Sequence, residues 1–320
     1  MNQPKLVTIF GGSGFVGRYI VSALAKRGYR IRVATRRPDL AFDLRPLGDV
    51  GQIQLVQANV RVRWSVDRAV EGADAVINLV GTFDAGGRNN FDAVHVFGAR
   101  AIAEAARASG ARLIHMSAIG ADPESGSGYG RSKGLGEQAA FETVKKAIVF
   151  RPSVIFGQED DFFNRFAGMA RISPFLPLIG GGHTKFQPVY VGDVAEAFAR
   201  AVDGELAGGK VYELGGPDVA TFRKCMDLMQ DIIHRRNAYL PVPFFLAGAI
   251  GKLTGWLPGA PITSDQVKML RNDNVVSEEA ISQGRTLRGI GITPHTMEAI
   301  LPTYLVRFRP HGQFERRGEV

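Results

Sequence analysis

The stretch Leu6-Val7-Thr8-Ile9-Phe10-Gly11-Gly12-Ser13-Gly14-Phe15-Val16-Gly17 passes from a short apolar run straight into glycines at 11, 14 and 17, three apart. Five apolar or β-branched residues in a row read as a strand buried on both faces. The pattern from Gly17 to Arg27 is helical. A strand, a glycine turn and a helix in that order form a grip for a diphosphate. One glycine makes the tight turn, one lets backbone N–H groups approach the phosphates, and one lets helix and strand pack closely. The anion then rests on the positive end of the helix. A glycine triplet alone also fits an ordinary turn; its setting between strand and helix points to the grip.

Working outward, short β-branched runs alternate with helical patterns through the first half. Strands are expected at Leu6–Phe10, Ile31–Thr35, Ile53–Gln57, Ala75–Leu79, Leu113–Met116 and Ile148–Phe150, with helices at Gly17–Arg27, Val66–Val70, Ala99–Ser109 and Ser132–Val144. Such alternation implies right-handed βαβ crossovers and a parallel sheet covered on both faces. The expected fold class is therefore α/β, a Rossmann-type doubly wound parallel sheet with a smaller, mostly helical C-terminal lobe. The dinucleotide-binding domain is drawn over 1–152, with later strands around 186–216 returning to it. The lobe is drawn over 153–185 and 217–320, covering the carboxyl end of the sheet, where ligands of open α/β sheets bind.

Bulk properties narrow the classes. The 320 residues are 45% hydrophobic and 22% charged, an ordinary globular composition. Lys and Arg total 39 against 31 Asp and Glu, giving +8. The basic residues are scattered and no nucleic-acid motif accompanies them, so a generally basic surface is expected and no nucleic-acid partner. One cysteine, Cys225, leaves no intramolecular disulfide, and the six histidines lack ligand spacing, so no metal is expected. Phe244–Leu257 contains Lys252 and is too short to span a bilayer, so a soluble or peripheral protein is expected.

Arg36 and Arg37 follow the second strand at once. A carboxylate there would accept hydrogen bonds from the ribose hydroxyls of NAD; arginine suits the 2′-phosphate of NADPH. Asp39, beyond Pro38, looks badly placed for the first task. NADPH (NADP) is the expected cofactor, the bland alternative being a solvated arginine pair. The contacts expected from the turn itself are Gly11, Ser13, Gly14, Phe15, Val16 and Gly17. Asn59 and Val60 follow the third strand, where Asn59 either meets the adenine edge or caps the strand. Leu79, Val80 and Gly81 end the fourth strand beside the cofactor's path, though Gly81 also suits a plain turn.

Tyr129 and Lys133 lie one helical turn apart, twelve and sixteen positions after Ser117. A free tyrosine has a pKa of about 10, and a nearby ammonium would lower it into a usable range. Tyr129, Lys133 and Ser117 are therefore the candidate catalytic group. A Tyr-x-x-x-Lys pair occurs by chance in many chains; a serine after the fifth strand raises its weight for site location without establishing turnover.

Together the glycine triplet, Ser117 and Tyr129-x-x-x-Lys133 resemble the extended or atypical short-chain dehydrogenase/reductase family. Arg151-Pro152-Ser153 through Gly157, Val189–Val194 and Leu214-Gly215-Gly216-Pro217 agree with that family, so the resemblance covers nearly the whole chain. It implies that Tyr129 is the acid/base, that Lys133 binds the nicotinamide ribose and that Ser117 orients substrate. It also implies that Pro152, Ser153 and Val154 line the nicotinamide side. Ile155–Ala167 and Gln187–Val191 resemble one branch, the nucleotide-binding accessory subunits of respiratory complex I, the NADH:ubiquinone oxidoreductase. That branch implies a tightly held NADPH without turnover and partners among complex I subunits near the peripheral-arm/membrane junction. It further implies a peripheral position on the cytoplasmic side of a bacterial inner membrane, or the matrix side if mitochondrial. Extended members commonly carry an asparagine where this chain has His95, so a proton relay through that position would be altered; alternatively His95 is a half-buried residue without a role.

In the lobe, Tyr239–Leu246 leads into the apolar Ala247–Leu257 with Trp256, either core packing or a docking face for a membrane-domain partner or headgroups. Arg307, Arg309, Arg316 and Arg317 could then meet anionic lipid or an acidic subunit. The expected function is thus an NAD(P)H-binding accessory subunit of complex I. The rivals are an active NADPH-dependent reductase or epimerase using Tyr129, Lys133 and Ser117, and a free redox sensor.

Overall fold

The computed structural model describes residues 5–83, 87, 90–254 and 263–310. Trp256 and Leu257, expected in the apolar stretch of the lobe, and Arg316 and Arg317, expected in the basic tail, lie outside the described residues.

The chain divides into two units, the first made of Met1–Pro152, Val191–Leu214 and Ser277–Thr293. It is built on a seven-stranded sheet: β1 (Leu6–Phe10), β2 (Arg30–Thr35), β3 (Ile53–Gln57), β4 (Ala75–Asn78), β5 (Arg112–Met116), β6 (Ile148–Pro152) and β7 (Lys210–Leu214). Their order is β7-β6-β5-β4-β1-β2-β3, every neighbour parallel. The order reverses between β1 and β4, which places the topological switch point beyond the carboxyl ends of those two strands. Both are buried along their whole length, which is why they read as unbroken apolar runs.

Helices α1 (Phe15–Lys26), α2 (Arg63–Val70), α3 (Gly98–Ser109) and α4 (Gly128–Thr143) alternate with the strands, and α5 (Val191–Asp203) precedes β7. Helices α2, α3 and α4 pack in sequence, while α1 packs against α5. A core under α2 to α4 gathers Phe10, Val66, Val76, Ile102, Ala106, Leu113 and Ala140. On the other side Arg27 ties α1 to α5 through Glu196 at 2.7 Å and Asp203 at 3.0 Å.

The fourth helix begins earlier than the expected Ser132. Ser127 caps it by accepting the N–H of Gly130, so the helix starts at Gly128 and already contains Tyr129. Its glycines, poor helix formers, are there for packing. A Cβ on Gly134 would lie 2.4 Å from the Pro123 nitrogen, and one on Gly136 would lie 2.5 Å from the His95 carbonyl oxygen. Close approach of neighbouring backbone overrides propensity here.

The second unit comprises Ser153–Tyr190, Gly215–Val276 and Pro294–Val320. Ser277–Thr293, expected in the lobe, groups with the first unit, where Arg285 donates to the Val211 carbonyl at 2.6 Å. The second unit holds helices at Phe163–Ile172, Phe222–Ile232 and Phe244–Thr254, and a parallel strand pair, Phe175–Ile179 with Ala238–Val242. Its core collects Phe156, Phe163, Leu176, Phe222, Met226, Leu301 and Leu305.

Candidate functional site

The turn after β1 separates the roles of its three glycines. Gly11 takes φ +81°, and a Cβ there would lie 3.1 Å from the Leu79 carbonyl carbon at the end of β4. A Cβ on Gly17 would lie 2.5 Å from the Gly11 oxygen. The fold's own packing therefore requires both. Gly14 is different. Its φ is −82°, it is exposed, and the nearest atom to a Cβ would be the Gly11 oxygen at 3.4 Å. Among the described residues no atom crowds a Cβ at 14, so the space over this turn is open to a ligand.

Gly14 is also the N-cap of α1, which has no side-chain cap and no acid in its first turn. The N–H groups of Phe15, Val16 and Gly17 begin that helix and have no intrahelical acceptor by position. An uncapped helix end with a glycine approach fits a diphosphate. At the end of β2, Ser13 Oγ lies 3.4 Å from Thr35 Oγ1. Arg36 is exposed and makes no ion pair among the described residues, whereas Arg37 is ion-paired with Asp39 at 2.9 Å. Asp39 thus faces the second arginine.

Asn59 folds back on its own turn. Its Oδ1 accepts the Arg61 N–H at 3.1 Å, while its backbone N–H and carbonyl both meet Ser65 Oγ at 3.0 Å. Val60 packs on Gly98, whose Cβ would lie 3.0 Å from Val60 Cγ2. Leu79 is buried and its N–H donates to the Phe10 carbonyl at 2.9 Å, so the ends of β1 and β4 are joined.

Lys133, on α4, is 4% exposed, and its ammonium donates to the Met116 carbonyl at 2.8 Å. Burial lowers its pKa to about 8, opposed by the nearby Glu137 carboxylate. The Gly81 backbone is close by: a Cβ there would sit 3.9 Å from Lys133 Nζ and 3.6 Å from His95 Nε2. Ser117 follows β5, its N–H held by the Phe150 carbonyl at 2.7 Å. Its buried Oγ finds no hydrogen-bond partner among the described residues.

Tyr129 departs from expectation. Its phenol pKa is raised, not lowered, and the cause is burial. Phe83 stacks on its ring with centroids 4.8 Å apart, while Phe91 and His95 meet it edge-on at 6.1 and 5.6 Å. An apolar enclosure disfavours the phenolate. Pro152 ends β6 in the first unit, and its carbonyl accepts the Ile119 N–H at 3.0 Å. Ser153 and Val154 belong to the second unit, where Ser153 Oγ donates to Asn274 and the Val154 carbonyl accepts the Val189 N–H.

Four residues of this region went unread in the sequence. Asn78 Nδ2 donates to His115 Nδ1 at 3.0 Å, and Asn78 Oδ1 accepts the Val80 N–H at 3.0 Å, holding the turn after β4. Because an amide NH2 only donates, the His115 proton is on Nε2, which is buried without a partner among the described residues. Thr82 and Ser132 bond to His95. His115 was findable, since it lies two residues before Ser117 and shares its side of the strand.

In the second unit the stretch after β6 has a structural explanation. The buried Asp160 carboxylate accepts the N–H groups of Gly157, Phe163 and Asn164 at 3.1, 2.6 and 3.2 Å, and the hydroxyl of Tyr304.

The NAD-dependent epimerase/dehydratase family matches residues 7–215, from β1 to the end of β7. The chain belongs to that family. Its kinship expected from the motifs holds at closer range too. Over 320 aligned residues it is 34% identical to "NADH dehydrogenase [ubiquinone] 1 alpha subcomplex subunit 9, mitochondrial" of Arabidopsis thaliana, covering 96% of this chain and 79% of that protein. A ceramide reductase of Caulobacter vibrioides is 37% identical over 174 residues, covering 54% of each chain. Among solved structures, the Thermus thermophilus UDP-glucose 4-epimerase in complex with NAD superposes with a TM-score of 0.68 at 19% identity. It covers 95% of this chain and 99% of the epimerase. The last likeness speaks to fold; the first carries more.

Proposed function

We propose that this chain is an NAD(P)H-binding accessory subunit of respiratory complex I, in which NADPH is held as a structural ligand. The observation that carries this reading is the 34% identity to a subunit 9 protein across 96% of the chain, second unit included. The site agrees. The turn at Gly14 and the uncapped α1 suit the diphosphate, Arg36 the 2′-phosphate, and Lys133 the ribose near the nicotinamide. Ser117 and Tyr129 stand at the nicotinamide end. Bound only to the folded chain, such a ligand stabilises it by mass action.

Other complex I subunits are then its partners, and the chain sits peripherally on the cytoplasmic or matrix side near the membrane junction. Among the described residues no helix is long and apolar enough to cross a membrane. Helix Phe244–Thr254 exposes Phe245 and Leu246, 77% and 45% accessible, which supports docking on a partner subunit or anionic headgroups. Native electrophoresis of gently solubilised membranes is the test. Comigration with the respiratory complex is expected, and a chain that runs alone ends the subunit reading.

A second reading, an active NADPH-dependent reductase or epimerase, is favoured by one feature. The partnerless Ser117 Oγ is a hydroxyl ready to hold a carbonyl or alcohol. NADPH consumption by the purified chain with carbonyl substrates, abolished by Tyr129→Phe, would establish it.

A further inference from the structure

A π-turn, Asp92–Phe97, runs directly into α3. Such π-helical turns are rare, yet frequent at functional sites. This one sends His95 into the interior, 2% exposed, with Phe91 stacked on its ring at 5.5 Å. The glycine at 136 lets α4 come against the His95 carbonyl.

His95 Nε2 accepts the backbone N–H of Thr82 at 3.0 Å, and its Nδ1 lies 2.8 Å from Ser132 Oγ. The Ser132 hydroxyl donates to the Tyr129 carbonyl at 2.8 Å. A backbone amide only donates, so Nε2 bears no proton. The neutral ring must then carry its proton on Nδ1 and donate it to Ser132 Oγ. The three bonds run in one direction, each role forced by the next. They begin beside Gly81, against Lys133, and end on the residue that carries the phenol.

We propose that His95 is a positioning residue of the dinucleotide site, fastening the loop after β4 to the helical turn of Tyr129. Loop and turn then present one preformed surface to the ligand, which rests on the reading that a nicotinamide dinucleotide lies there. His95 passes no proton in this arrangement, because protonating Nε2 breaks its bond to Thr82. An asparagine cannot substitute fully. Its amide reaches the place of Nδ1 and stops short of Thr82, whereas a glutamine amide oxygen reaches the place of Nε2.

The test uses the full chain and the variants His95→Asn, His95→Gln and Thr82→Pro, the last removing the same N–H from the loop side. NADPH affinity is read from nicotinamide fluorescence, ligand-free melting is followed separately, and the histidine tautomer is read by 15N NMR. The unaltered chain should show a bare Nε2 and a protonated Nδ1, unchanged from pH 8 to pH 5. His95→Gln should bind NADPH within about three-fold of the unaltered chain, while His95→Asn and Thr82→Pro bind about ten-fold more weakly. A merely structural histidine would give equal losses in Gln and Asn, in step with melting. Such parallel losses, full affinity in His95→Asn, or an Nε2-protonated ring each overturn the proposal. If the unaltered chain binds no NADPH, the cofactor reading falls, and the tautomer still decides the clamp.

Discussion

Phe83 and Tyr129 lie face to face, their planes 17° from parallel. Phe83 is itself 63% exposed, so one solvent-facing ring closes over the phenol-bearing one. Removing it should admit water and relieve the burial that raises the phenol pKa. Phe83→Ala is expected to move the Tyr129 titration down toward the ordinary tyrosine value of about 10. Ultraviolet titration of phenolate, with Tyr129→Phe as the blank, measures it. An unmoved titration would mean that the shift has another source.

The Lys133 ammonium, with its pKa near 8, sets a pH limit on ligand binding. If Lys133 meets the ribose as proposed, NADPH affinity should fall above about pH 8 as its cation is lost, and Lys133→Met should abolish this pH dependence. Stability moves the other way. Between the folded value of about 8 and the ordinary 10.5 the unfolded chain binds the extra proton, so ligand-free stability rises with pH in that window. Fluorescence titration and chemical denaturation across pH 7 to 10 separate the two trends.

Acid should unfold the first unit early. Burial lowers the pKa of His95 and of His115 to about 3, from 6.5. Between those values the unfolded chain binds protons that the folded chain refuses, so stability present above pH 6.5 is lost as pH falls. Each histidine contributes about 1.4 kcal/mol per pH unit well below 6.5. Urea denaturation at pH 7, 6 and 5 should show that slope, and His95→Gln should roughly halve it. A flat profile would show that neither ring stays neutral by burial.

The glycines of the turn after β1 should divide cleanly. Gly17→Ala forces a methyl to within 2.5 Å of backbone and should destabilise the chain by about 1–3 kcal/mol. Gly14→Ala meets only an ordinary contact, so its ligand-free melting should be nearly unchanged while dinucleotide affinity drops. Differential scanning fluorimetry with and without NADPH distinguishes them. Equal destabilisation by both would remove the argument that Gly14 is shaped for a ligand.

Arg36, with no ion pair among the described residues, and Arg37, paired with Asp39, predict an asymmetric choice of cofactor. Arg36→Ala should weaken NADPH by roughly ten-fold or more and leave NADH nearly unchanged. Asp39→Asn should release Arg37 and strengthen NADPH binding. Calorimetry with both dinucleotides decides; an equal loss for NADH would place Arg36 away from the 2′-phosphate.

Much of this was legible because its cause is local. The strand from Leu6 to Phe10, the turn and the opening of α1 follow from burial on two faces and from glycine geometry within a dozen residues. The start of α4 was hidden because its glycines answer to Pro123 and His95, partners that periodicity does not register. The direction of the Tyr129 shift differs from the sequence expectation for a related reason. The ammonium one turn away suggests a lowered pKa, but Lys133 donates to Met116 while Phe83, Phe91 and His95 wall in the phenol.

The sequence by itself determined the doubly wound sheet, the glycine turn after β1, the arginines after β2 and the spacing of Tyr129 and Lys133, since each depends on neighbours along the chain. Only the tertiary structure decided that no described atom crowds a Cβ at Gly14, that Asp39 engages Arg37, and that His95 joins Thr82 to Ser132. Those facts rest on which groups face one another across the fold. Hydrogen-bond direction and desolvation are set by such facing groups, and no local pattern encodes them.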